Sequence, residues 1–209
     1  MARSARMMRR RARENLAYLA VLLLLFAAVW GWNRWQDSRA DGLIAAPSPT
    51  PDAATDAPPG AQQVTVAFAI DGDSLQVTAA RSGPVIDAEG PVQIRLLGID
   101  APEMHGGDGQ PQCYARDAYE RLQRLAPAGS TLWVTADVQR RDPYDRFLVY
   151  AWTPRGTFVN VEQARLGYAR ALDIRPNESY AVPIGAAVAE AQGDGRGLWG
   201  RCVGGDAPA

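Results

Sequence analysis

From Val64 onward the hydrophobic and polar positions fall into a series of distinct periods. Val64 to Ile70 and Leu75 to Ala79 alternate as half-buried strands do. Between them, Ile70-Asp71-Gly72-Asp73-Ser74-Leu75 carries the Asp-Gly pair that favours a tight hairpin. Val92, Ile94 and Leu96 alternate with Gln93, Arg95 and Leu97, predicting a third strand that Pro102 forbids from continuing as a central one. The period then changes: Ala115, Ala118, Tyr119, Leu122 and Ala126 share one face of a helix over Cys113 to Ala126, ended by Pro127 and Gly129. Thr131 to Val138 alternates through Leu132, Val134, Ala136 and Val138. Phe147 to Trp152 is apolar on both faces, as a central strand requires. Asn160 with Gln163 three residues later has the spacing of a capping box for a short helix that Gly167 can stop. Ile184, Ala187, Val188 and Ala191 stripe a last helix with Pro183 near its first turn. Trp133, Trp152 and Trp199 are expected in the core rather than as base-stacking platforms. The pattern predicts a mainly β domain with added α over residues 64–203: five strands, three helices and no internal repeat.

The chain before Val64 is of another kind. A basic segment over residues 1–14 carries Arg3, Arg6, Arg9, Arg10, Arg11 and Arg13. It precedes an uncharged, Leu-rich run, and residues 15–35 are long and apolar enough for one membrane-spanning helix. Positive charge stays cytoplasmic, so a retained helix would place the rest of the chain outside the cytoplasm, with Trp30, Trp32 and Trp35 at the far interface. A cleaved signal segment, giving a secreted protein, is the rival reading. Residues 36–63 are rich in Pro, Ala, Asp, Ser and Thr and hold only Leu43 and Ile44 as large apolar side chains, too few to offset the entropy of ordering, the composition of a disordered linker; residues 204–209 form a short tail. The net charge of -1 conceals an asymmetry, eight Arg against five acidic residues before Val64 and fourteen against eighteen from there on. The acidic balance of the domain implies weak sequence-independent attraction to polyanions. Arg140 and Arg141, with Arg116, Arg121 and Arg124, offer a local basic patch.

Candidate chemistry gathers at strand ends. Arg95, Asp100 and Glu103 lie within one short stretch, and such a set can hold a hard cation, activate water and clamp a phosphate; a solvated acidic turn is the plainer reading. A second acidic corner holds Asp71 and Asp73. A third piece, Asp142-Pro143-Tyr144-Asp145-Arg146-Phe147, launches the apolar strand and leaves Arg146 at its start. In their order and spacing these three pieces resemble the staphylococcal nuclease (thermonuclease) family over roughly Val64 to Cys202.

The resemblance implies an OB-fold barrel and a calcium-dependent phosphodiesterase that cleaves DNA and RNA with little sequence preference, leaving 3′-phosphate products. It implies Asp73, Asp100 and the main-chain carbonyl of Ala101 as metal ligands, Asp71 as a nearby acidic neighbour, Glu103 as general base, and Arg95 and Arg146 as phosphate contacts. Ala101 stands where the founding member has Thr, a change that a carbonyl ligand tolerates. Leu172 and Ile174 stand where it presents tyrosines near the nucleotide, which leaves base contacts unaccounted for. A non-catalytic OB-fold binding module, for single-stranded nucleic acid or a protein partner at the cell surface, is the competing class. Nucleic acid and the membrane are the expected partners, and no protein partner is predicted.

Cys113 and Cys202 are the two cysteines of the chain. If both face an oxidising compartment a disulfide is expected, with two unrelated thiols as the alternative. With the lone His105 they fall short of the four ligands of structural zinc. His105, in a Gly-rich loop, is expected to be solvated.

Overall fold

The computed structural model describes residues 57–202. The basic segment, the apolar segment 15–35, the linker up to residue 56 and the tail 204–209 lie outside the described residues. Among the described residues no helix is long and apolar enough to cross a membrane. The elements run β1 (Gln62–Ala69), β2 (Ser74–Ala79), β3 (Gly90–Leu96), β4 (Ile99–Asp100), α1 (Ala115–Leu125), β5 (Thr131–Thr135), β6 (Phe147–Trp152), α2 (Val159–Arg165), β7 (Arg170–Ala171), α3 (Ala181–Gly193) and the single turn α4 (Leu198–Arg201).

Five strands close a barrel in the order β1-β2-β3-β6-β5, and β4 pairs with β7 in a separate two-stranded ribbon. The β3–β6 contact is parallel and the other barrel contacts are antiparallel. Closure removes the exposed edges that an open sheet of this size would present. It also sets one boundary: β1 begins at Gln62, two residues before the alternation at Val64, because Gln62 and Gln63 pair with Val134 and Trp133 of β5. In the other direction β5 stops at Thr135 instead of Val138. Its last partner is Tyr150, and beyond that pair Val138 is left 70% exposed.

The core is the barrel interior and the seam under the helices. Leu75, Val77, Ile94, Leu96, Leu132 and Val134 supply the alternating strands' inward faces, all fully buried. Every residue of β6 is buried, as its two-sided apolarity predicts. Outside the barrel Tyr150 and Trp152 meet Phe158 and Tyr180, with ring centroids 4.5 to 6.1 Å apart. Trp133 and Trp199 are partly buried against this core, as expected.

Helix α2 corrects the capping-box reading. Its N-cap is Phe158, with no side-chain cap, and Asn160 and Gln163 are wholly buried within the helix. Asn160 donates to the carbonyl of Leu97 at 2.8 Å and accepts from the Ala151 N–H at 3.0 Å, while Gln163 donates to the Gly72 carbonyl at 2.7 Å. Main-chain groups in distant turns lack other partners once buried, and satisfying them outweighs a local cap. Gly167 ends α2 as expected, at φ +74°.

The disulfide forms, joining Cys113, just before α1, to Cys202 after α4 across 89 residues of chain. Closing so long a loop restricts the unfolded chain by about 4 to 5 kcal/mol in the chain-entropy picture.

Candidate functional site

The site is built from two turns locked together at one end of the barrel. Between β1 and β2, Asp71 turns the chain by accepting the Asp73 N–H on its own carboxylate at 3.0 Å, and Ile70 N–H closes the turn on the Ser74 carbonyl. Gly72 sits where a Cβ would lie 2.5 Å from Cβ of Ala101 and 2.7 Å from Cβ of Ala118, so only glycine lets this turn seat against β4 and α1. Gln163 holds the same glycine's carbonyl from below and reaches the Ala118 carbonyl at 3.2 Å.

The second turn joins β3 to β4. Gly98, at φ +77°, makes the left-handed bend. Arg95, 6% exposed, folds its guanidinium over this bend, donating to the carbonyls of Leu96 and Ile99 at 2.9 and 2.8 Å. The other terminal nitrogen of that guanidinium bridges the two acidic corners, 3.1 Å from Asp73 and 2.9 Å from Asp100. Asp73 in turn accepts the Ala101 N–H at 2.7 Å and the Ser74 hydroxyl at 3.0 Å. The main chain of Glu103 is clipped reciprocally to Gln112, whose side chain accepts the Glu103 N–H at 2.7 Å and whose own N–H donates to the Glu103 carbonyl at 2.9 Å.

These groups bias one another electrically. Burial pushes the Asp73 carboxyl well up; the Arg95 charge opposes that rise and the Asp71 charge adds to it. Partial desolvation raises Glu103, reinforced by Asp71 and Asp100 and countered by Arg95 and Arg146. The charge of Arg146 therefore acts at this corner from the β5–β6 connection. Its guanidinium is anchored there by Asp142, 2.6 Å away, which also accepts the Arg146 N–H at 2.9 Å.

The structure thus brings together Asp71, Asp73, Arg95, Asp100, Ala101 and Glu103, with Arg146 within electrostatic range. His105 is exposed, as expected. The basic patch is corrected. Arg121 pairs with Glu162 and Arg124 with Glu120, each at 3.7 Å, and Arg141 is held between Asp87 and Asp145, so local carboxylates offset most of the charge expected there. Sequence reasoning missed Asn160, Gln163, Gln112 and Asp142 as supports. Two amides on a helix flanked by Val159, Val161 and Ala164 were a legible sign of buried polar work, and the Asp142 to Arg146 spacing was another.

A metal ion fits this donor set. Asp73 and Asp100 approach one arginine nitrogen, their oxygens are hard donors, and the nearby carboxylates outnumber the guanidinium groups, an excess that a hard divalent cation offsets. Among the described residues no three acidic, His or Cys side chains converge as a cage. The residues present therefore suit an ion whose shell is completed by carbonyl and water oxygens.

The chain is similar to known proteins of one family. The family model described as staphylococcal nuclease homologue matches residues 93–201. The thermonuclease of Staphylococcus hyicus is 30% identical over 139 residues, 66% of this chain and 76% of that protein. An uncharacterized endonuclease of Escherichia coli is 33% identical over 130 residues, 62% of this chain and 72% of that protein. Endonuclease YhcR of Bacillus subtilis is 30% identical over 153 residues, 68% of this chain but 12% of that protein. With a family model covering more than half of its length, a closed five-stranded barrel and an acidic corner bridged by Arg95, the chain belongs to the family of staphylococcal nuclease homologues.

Proposed function

We propose that the protein is a calcium-dependent nuclease that hydrolyses phosphodiester bonds in both DNA and RNA with little sequence preference. Membership of a nuclease family supports phosphodiester hydrolysis with nucleic acid as substrate. The single observation that carries the finer reading is the Arg95 bridge between Asp73 and Asp100 beside a Glu103 of raised proton affinity.

In this reading Glu103 takes the proton of a water molecule whose oxygen attacks phosphorus; the P–O5′ bond breaks, and the departing O5′ takes a proton from solvent water, leaving a 3′-phosphate and a 5′-hydroxyl. A carboxylate whose proton affinity is raised by desolvation and by Asp71 and Asp100 is a stronger base than an ordinary Glu. Arg146, presented by Asp142, and Arg95 donate to the phosphate oxygens as charge builds there. When bound, Ca²⁺ held by Asp73, Asp100 and the Ala101 carbonyl supplies further positive charge at the phosphate. Asp71 shapes the turn that presents Asp73 and adds negative charge favouring the cation.

The test is cleavage of plasmid DNA and of RNA by the purified protein, with Ca²⁺ or with a chelator, beside Glu103→Gln and Arg146→Ala. Cutting should require Ca²⁺ and fall on the order of 10²-fold or more in each variant. Cutting that ignores the chelator rejects the metal; equal cutting by all three proteins rejects the site.

The same proposal keeps the domain outside the cytoplasm, anchored by residues 15–35 or secreted after their removal. The Cys113–Cys202 disulfide supports an oxidising compartment. Protease added to intact cells should degrade the domain or find it in the medium, and full protection would reject this location.

A further inference from the structure

Beside the acidic corner lies a cleft of about 530 Å³ that the nuclease reading leaves unused. It is lined by Gln76 of β2, Gln93 of β3, and Arg141, Tyr144 and Asp145 of the β5–β6 connection. Side chains two residues apart on a strand share a face. Gln93 therefore follows Arg95 on β3, and Gln76 follows Ser74 on β2. The cross-strand pair Gln76–Gln93 lies one such step from the pair Ser74–Arg95, about 7 Å along the strands. The cleft thus continues the face that carries the phosphate-contacting arginine of the proposed site.

Its chemistry disfavours a second phosphate. Arg141 is the only cation lining it among the described residues, and that guanidinium is already paired with two carboxylates, Asp87 at 2.8 Å and Asp145. An anion entering would meet more negative charge than positive. Two facing glutamine amides instead offer donors and acceptors without net charge. Tyr144, 81% exposed, adds an aromatic face at the rim. A neutral, planar group with hydrogen-bonding edges suits this surface, and the face of strands 2 and 3 is where OB barrels commonly hold oligonucleotides.

Resting on the nuclease reading, we propose that this cleft is a subsite for one unpaired base of the substrate strand, the base next to the phosphate at Arg95. Gln76 and Gln93 hydrogen-bond the base edge and Tyr144 lies against its face. The subsite supplies base contacts independent of the positions held by Leu172 and Ile174. The contact is open only to a base that is not paired, because a duplex withholds the pairing edge.

The experiment uses single-stranded oligonucleotides with one cleavable linkage and an abasic residue at either flanking position. They are cut by the wild type, by the double variant Gln76→Ala/Gln93→Ala, and by Gln123→Ala on α1 as a control. In the wild type and the control, removing the base at one flanking position should lower kcat/KM about tenfold, chiefly through KM. The double variant should show less than a twofold further loss from the same removal. Fluorescence anisotropy on Glu103→Gln protein, with and without the two glutamine changes, reads the same difference in Kd without turnover. If the double variant melts early, the exposed single change Gln93→Ala carries the measurement. An abasic penalty that is equal in wild type and double variant, or absent from the wild type, overturns the subsite while leaving the nuclease intact. A protein that neither binds nor cuts any of these strands overturns both readings.

Discussion

The corner from Arg95 to Glu103 secures its arginine with four acceptors, two main-chain carbonyls and two carboxylates, in a setting 6% exposed. The connection from Arg140 to Phe147 secures Arg146 through the single carboxylate of Asp142, and the Arg146 side chain is 27% exposed. Both guanidinium groups serve one proposed chemistry, yet only the first is part of what holds the fold together. The difference teaches that an arginine wedged between metal-ligand candidates neutralises them in the folded protein and cannot be removed without structural cost. An arginine on a hairpin held by one partner is dispensable to the barrel and can be spent wholly on substrate.

The largest effects should separate activity from stability, at Arg146 of the second region and at Glu103, the exposed end of the first. Arg146→Ala and Glu103→Gln are each expected to lower kcat/KM by on the order of 10² to 10⁴-fold while thermal unfolding stays close to wild type. A melting temperature that drops in step with activity would erase the contrast. Because desolvation, Asp71 and Asp100 raise Glu103, the acid limb of the wild-type activity profile should lie above the ordinary Glu value of about 4.3.

Next in size, Arg95→Ala should destabilise the fold by about 3 to 5 kcal/mol, since it strands Asp73 as an unpaired buried acid. Denaturant midpoints measure this, and a loss below about 1 kcal/mol would put the two arginines in the same class. Gly72→Ala follows at about 1 to 3 kcal/mol, the usual cost of overpacking, because the added methyl collides with Ala101 and Ala118. An unchanged midpoint there would mean that the turn is not seated as described.

The smallest effect sharpens the second region. Partial burial acts to raise Asp142, but the side chain and N–H of Arg146, and then the Tyr144 N–H, outweigh it and hold the folded pKa below the ordinary value. The resulting stabilisation is complete above the unfolded Asp value of about 3.9 and is lost as pH falls through the lower folded value. Asp142→Asn should therefore flatten the loss of stability on acidification below about pH 4. It should also lower kcat/KM less than Arg146→Ala does, by leaving the guanidinium present but less well aimed. Identical acid slopes for the two proteins would show that the pair contributes no stability.

Much of the site was legible because its chemistry is local. Asp71 and Asp73 share one turn, and Arg95, Asp100 and Glu103 share one strand end, so residue type and spacing already crowd them together. The supports were not legible in the same way. Asn160 and Gln163 carry a local capping spacing, and only the distant carbonyls of Leu97 and Gly72 decide what their amides do. The ribbon of β4 with β7 pairs two residues with two, too short a run for any period to register.

By itself the sequence determined the five barrel strands, the three longer helices, the family and the composition of the acidic corner, because alternation, turn residues and short spacings act within one or two turns of chain. The tertiary structure alone decided the closing register of β1 on β5, the arginine shared between two carboxylates, the buried amides beneath the turn and the cleft beside it. Each of those depends on groups many residues apart becoming neighbours, and their energy exists only once packing has excluded water from between them.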